Sequence, residues 1–120
     1  MPTSPVSNVE HSYMRFKELF EQAPISIQML APDGRTLRVN KAWEDLWQIH
    51  EGSALKEFVL SADYNVLRDP QLVASGIAPL LRRAFAGESV RIPAARYDVA
   101  ELDGKGPVRW VTARAHAIKD

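Results

Sequence analysis

Two regions of this chain alternate apolar and polar residues around a turn, and a run of short helical signals lies between them. That layout constrains the fold more than any single motif. In the first region Ile25-Ser26-Ile27-Gln28-Met29 alternates with the period of a half-buried strand. Pro32-Asp33-Gly34 follows as a turn, where Pro presets φ and Gly accepts a positive φ. Thr36 to Asn40 alternates again, with Leu37 and Val39 on one face, so the two segments are expected to form a β-hairpin. In the second region Val90 and Ile92 are apolar at even positions, Tyr97 and Val99 at odd ones. The phase slips near Pro93-Ala94, which predicts a bulge or bend in a long strand. Asp103-Gly104-Lys105-Gly106-Pro107 is a hairpin loop. Val108 to Ile118 then reads as the last strand. It has Val111, Ala113, Ala115 and Ala117 on one face and Trp110, Thr112, Arg114 and His116 on the other.

Between these regions Asn40 is a good N-cap for a helix that places Trp43, Leu46 and Trp47 on one stripe, and Glu51-Gly52-Ser53 breaks it. A short helix is expected around 54–59. Asp69-Pro70 opens another, cap and first-turn proline in order, and Gly76 closes it. Pro79 starts a longer helix carrying Leu80, Leu81, Ala84 and Phe85, ended by Gly87. At the N-terminus, residues 1–8 hold two prolines and three Ser/Thr and are expected to be a mobile tail. Ser7 and Glu10 have capping-box spacing. Val9, Tyr13, Phe16 and Phe20 then recur at steps of four, three and four, the stripe of an amphipathic helix that Pro24 stops near Gln22. The order is helix, β-hairpin, short helices, β-hairpin: one α+β domain over residues 9–120.

A chain of 120 residues builds one core and has no room for a sensor and a catalytic domain together. Fifteen basic and fifteen acidic residues cancel, which gives no support to nucleic acid or an anionic membrane as partner. Cysteine is absent, so disulfide and thiolate chemistry are excluded. No basic n-region followed by an apolar stretch, and no apolar run long enough to span a bilayer, occurs; a cytoplasmic location is expected.

The order of segments, together with certain phrases, resembles the PAS family. These phrases are Glu18-Leu19-Phe20-Glu21-Gln22-Ala23-Pro24 before Ile25-Ser26-Ile27, then Pro32-Asp33-Gly34-Arg35 and Arg38-Val39-Asn40-Lys41-Ala42-Trp43. Ala86-Gly87-Glu88 ahead of a strand and Arg109-Trp110-Val111 within a later one fit as well. Tyr64-Asn65-Val66-Leu67-Arg68-Asp69-Pro70-Gln71 looks like a subgroup found in bacterial sensor kinases. The resemblance implies an antiparallel sheet with short helices on one face, a non-catalytic sensing role and an output domain in the same parent chain, a histidine kinase or diguanylate cyclase. A homodimer is expected as well. The family commonly has five strands with the last in the middle of the sheet, and four are readable here. The gap between the first and fourth is expected to close either by pairing with a second chain or by those two strands meeting.

The resemblance further implies a small-molecule cavity. Its candidate lining is Ile27, Met29, Val39, Trp43, Trp47, Phe58, Leu81, Phe85, Ile92, Tyr97 and Val111; the plainer reading is that these are packed core. Trp43 and Trp47 offer either a stacking surface for a planar cofactor or core packing. A cysteinyl-flavin lacks its cysteine, and a haem lacks an axial His in the helix before the third strand, so neither is expected. His11, His50 and His116 are far apart and give no metal-ligand spacing. His50 reads as a solvated residue at a helix end. Among the arginines (Arg82, Arg83, Arg91, Arg96, Arg114), Arg96 and Arg114 are the best placed to meet an anion, against the reading that all are solvated. No G-x-S-x-G, P-loop or H-E-x-x-H is present. Asp63, Asp69, Asp98 and Asp103 sit where turns favour Asp. No catalytic residue is expected. The alternatives are a ligand-free interaction module and a small cupped enzyme of the ketosteroid-isomerase kind. The enzyme needs a buried carboxylate or a Tyr–Asp pair, and Tyr97 and Asp98 face opposite ways on a strand. The dimer contact is expected along Val9, Tyr13, Phe16 and Phe20, unless that stripe packs on its own sheet.

Overall fold

The computed structural model describes residues 5–117, with side chains from Glu10 onward. The elements are α1 (Pro5–Gln22), β1 (Gln28–Leu30), β2 (Thr36–Val39), α2 (Lys41–Trp47), α3 (Ala54–Val59), α4 (Pro70–Ala74), α5 (Ile77–Phe85), β3 (Val90–Asp98), α6 (Ala100–Asp103) and β4 (Val108–Ala115). The chain is an α+β fold with two antiparallel hairpins, β1–β2 and β3–β4.

The caps follow local chemistry. Asn40, Ser53 and Asp69 each accept a bond from a first-turn backbone N–H, and Pro70 stands in the first turn of α4. Helix α1 begins at Pro5, ahead of the expected capping box, so Ser7 lies inside it. Helix α5 begins at Ile77, placing Pro79 in its first turn, where a missing N–H costs nothing. The hairpin loop holds one more helical turn, α6, than the sequence suggests. Its place is fixed by Val99, 1% exposed, against which Gly106 packs so closely that a Cβ would collide.

The expected continuous sheet is not formed. The strands make two separate two-stranded ribbons, and among the described residues β1 does not hydrogen-bond to β4. The first and fourth strands therefore do not close the gap themselves. Strand β1 is also shorter than expected, because Asn40 competes for its entry. The Asn40 side chain, fully buried, accepts from Ile27 N at 2.9 Å and Trp43 N at 3.0 Å. It donates to Phe20 O at 3.0 Å and Ile25 O at 2.8 Å. One amide thus ties the end of α1, the start of the first ribbon and the start of α2. In that ribbon Leu37 has no register partner and is exposed, while Val39 is buried. The shared inward face expected of the two is broken by this bulge. The slip expected near Pro93-Ala94 is present, between Ile92 and Ala95.

The second ribbon docks on the helices through side chains. Gln71 behaves as a strand partner for Asp98, donating to its O at 2.9 Å and accepting from its N at 2.8 Å. Arg109 Nε donates to Leu46 O at 3.1 Å. The core between ribbons and helices holds Val39, Trp43, Ile49, Val59, Tyr64, Val66, Ile77, Leu81, Ile92 and Val99. Helix α1 lies largely outside it. Glu10 to Leu19 are exposed, and among the described side chains of the helix only Phe20 is buried. The radius of gyration, 16.0 Å, exceeds the roughly 14 Å of a compact chain this long, as a projecting helix requires.

Candidate functional site

A cavity of about 90 Å³ lies between the first ribbon, the short helices and β3. Apolar side chains make most of its wall: Ile49, Val59, Val66, Leu72, Val99 and Leu102. Four aromatic rings, Trp43, Trp47, Tyr64 and Tyr97, complete it, and Gln28 is the one amide. Trp47 and Tyr97 meet edge to face at 5.4 Å, and Phe58 holds Tyr64 in the same way from behind at 5.7 Å.

Its polar end joins two distant segments of the chain, one carrying Tyr64 and Asp69 and the other Tyr97. Asp69, the cap of α4, is buried, with its Oδ1 accepting Gln71 N at 2.9 Å. Its Oδ2 accepts the hydroxyl of Tyr64 at 2.6 Å and the hydroxyl of Tyr97. Both phenols are held protonated. Burial pushes the Tyr64 hydroxyl far above the usual phenol range, and the neighbouring Tyr97 and Asp69 add to it. Burial again acts first on Tyr97, followed by the bond to Asp69 and its charge. Among the described residues no basic side chain forms an ion pair with Asp69. The segment carrying Tyr64 and Asp69 is itself clamped. Asn65 Nδ2 donates to Asp33 O at 2.7 Å, Val66 N donates to Gly34 O at 3.1 Å, and Gly34 (φ 97) leaves no room for a side chain against Asn65. Opposite, Gln28 accepts the Trp43 indole proton at 3.2 Å and donates to Thr36 Oγ1 at 2.9 Å.

Of the candidates read from the sequence, Trp43, Trp47 and Tyr97 line the cavity. Val39, Leu81 and Ile92 are core, and Phe85 packs against that core. Phe58 is partly exposed behind Tyr64. Ile27, Met29 and Val111 are half-buried and do not line it. Strand β1 presents the opposite parity from the expected one. Gln28 points inward because its amide satisfies both Thr36 and Trp43, a pairing no apolar residue there provides. Tyr64 and Asp69 were readable only as family phrase and cap. Tyr97 does not pair with its neighbour Asp98; its partner is Asp69, from the cap of α4, so a buried Tyr–Asp pair is formed by a residue the sequence reading did not consider for it. On α1, Tyr13 and Phe16 are exposed, Phe20 is buried in its own chain and so is removed from the expected dimer stripe, and the side chain of Val9 lies outside the described residues.

A second, open groove of about 430 Å³ runs over Ser89, Val90, Arg91, Arg114, Ala115 and His116. Arg91 and Arg114 stand directly opposite each other in the register and are exposed, as is Arg96. His11 and His50 are also exposed. Among the described residues no cluster of three metal-ligating side chains occurs, and no helix is long and apolar enough to cross a membrane. No protein-family model, curated protein or solved structure matches the chain.

Proposed function

We propose that this chain is a ligand-sensing relay domain of the PAS kind, acting as a cytoplasmic homodimer within a larger signal-transduction protein whose output is a histidine kinase or a diguanylate cyclase. The observation that carries the reading is the aromatic-lined cavity placed where the second ribbon is fastened to the helices. Tyr97 belongs to β3 and Asp69 to the cap of α4. A ligand bonding to Tyr97 therefore acts on the joint between the two halves. It relays a signal to the extent that it binds one arrangement of that joint more tightly than another. The volume suits a few heavy atoms and is well below the 300 Å³ or so of ordinary ligand pockets, so a flavin or haem does not fit this state. Helix α1 supports the dimer: Tyr13, Met14, Phe16 and Leu19 are exposed along it, and a helix that buries so little of its own apolar surface gains stability from a partner.

The buried Tyr–Asp–Tyr cluster favours one second reading, a small cupped enzyme that abstracts a proton. Against it, both Asp69 oxygens are occupied and neither lines the cavity. A filled-core interaction module is opposed by the cavity itself.

Native mass spectrometry of protein purified from cells tests the proposal. The expected result is a dimer carrying a small adduct that Val59→Phe, which fills the cavity, eliminates. A monomer with no adduct, or an adduct indifferent to that substitution, refutes it. Exchange of α-protons in a small ketone, lost in Asp69→Asn, decides for the enzyme.

A further inference from the structure

Most polar groups around the cavity have already given away their protons. Tyr64 and Tyr97 have one hydroxyl proton each, and both go to Asp69. The indole proton of Trp43 goes to Gln28, and one amide proton of Gln28 goes to Thr36. What these lining residues keep free is mainly acceptor capacity: lone pairs on two phenol oxygens and the second lone pair of Gln28 Oε1. The second amide proton of Gln28 and the indole proton of Trp47 are the donors left over.

Charge points the same way. Asp69 is 4% exposed and lies just behind the two phenols. A buried carboxylate is stabilised by hydrogen bonds and by an opposite charge, and among the described residues it has only the former. Four aromatic residues, Trp43, Trp47, Tyr64 and Tyr97, line the same cavity, and aromatic rings attract cations. Size sets the last limit. At about 90 Å³ the space exceeds a single water and suits an ion of a few heavy atoms.

We propose that the cavity is a site for a small organic ammonium ion, held beside the rings of Trp43, Trp47, Tyr64 and Tyr97 with its charge toward the phenol oxygens that Asp69 polarises. This rests on the ligand-sensing reading and names its ligand class. The test is a titration of the full chain with methylammonium, trimethylammonium and tetramethylammonium chloride, followed through the indole N–H resonances. Tert-butanol serves as the neutral isostere of similar size and sodium chloride as the salt control. Trp110, 71% exposed on β4, is the internal reference. The expected result is saturable shifts at Trp43 and Trp47, none at Trp110, and affinity for tert-butanol lower by about tenfold, the scale of one partly desolvated cation–π contact. Asp69→Asn keeps an N-cap acceptor and is expected to weaken the ammonium ions by about the same factor; if it does not fold, Tyr97→Phe gives the comparison. Equal affinity for tert-butanol and the ammonium ions, or no loss in the variants, overturns the ammonium assignment and leaves the sensing reading standing. No saturable shift from any ammonium ion overturns the assignment as well, and the adduct test above then decides the sensing reading by itself.

Discussion

Replacing Asn40 by alanine removes four hydrogen bonds from one buried side chain. The bond to Trp43 N is the helix cap, and losing a cap of this kind costs about 1 kcal/mol. The other three partners are backbone groups, and they differ in what happens next. The Ile25 carbonyl is bonded in a partly buried setting, but the residue is 66% exposed, so it has a route to water and is left out of the sum. The Phe20 carbonyl is bonded in a buried setting and Ile27 N in a partly buried one, and alanine offers neither a replacement. An orphaned buried backbone group costs about 1–3 kcal/mol. Taking the low end for both gives a total of about 3 kcal/mol, which for a chain of this length lowers Tm by roughly 10 °C. Urea unfolding and calorimetry of wild type, Asn40→Ala and Asn40→Ser separate the parts. Serine restores the cap alone and should recover about a third of the loss. A cost for Asn40→Ala no greater than that of a simple cap would falsify the account of Asn40 as the tie between α1, the first ribbon and α2.

Gly34→Ala should destabilise by more than about 2 kcal/mol in urea, because its φ of 97 is joined by a collision with Asn65; Gly52→Ala, with φ 82 and open space around it, should cost only about 1 kcal/mol. Equal costs would show that the contact with Asn65 is not tight. Tyrosinate absorbance should divide the three tyrosines. Tyr13, exposed and bonded by Arg38, ionises below the usual phenol range in the folded protein, while Tyr64 and Tyr97 ionise only on unfolding. Their folded pKa values are raised, so their contribution to stability is complete below about pH 10 and is lost as pH climbs above it. All three titrating together near pH 10 in folded protein contradicts the buried cluster. Phe16→Glu, on the exposed face of α1, should weaken self-association in sedimentation by at least tenfold while leaving Tm unchanged at low concentration. An unchanged dimer moves the interface elsewhere.

What could be read from the sequence was whatever short-range chemistry decides. The caps at Asn40 and Asp69-Pro70, and the strand irregularity at Pro93-Ala94, depend on neighbouring residues and were recognisable as such. The cavity was half legible. Trp43 and Trp47 follow from helical period, and Tyr97 from strand alternation. Asp69, bonded to Tyr64, meets Tyr97 across 28 residues of chain, and no local pattern encodes that meeting. Gln28 was hidden for a different reason: alternation assigns apolar residues inward, whereas here an inward amide is stabilised by Thr36 and the Trp43 indole. The break into two ribbons was equally out of reach, because the bonds that replace sheet pairing come from side chains, Gln71 above all.

Xenon binding followed by NMR tests the central claim most directly, because the gas reports an apolar void without regard to ligand chemistry. A hollow behind Trp43, Trp47, Tyr64 and Tyr97 predicts saturable xenon-induced shifts in those four residues, absent in Val59→Phe and absent at Trp110 in either protein. Shifts that are linear in pressure and spread evenly over the chain would mean that the centre is solid, and with it the sensing role would fall.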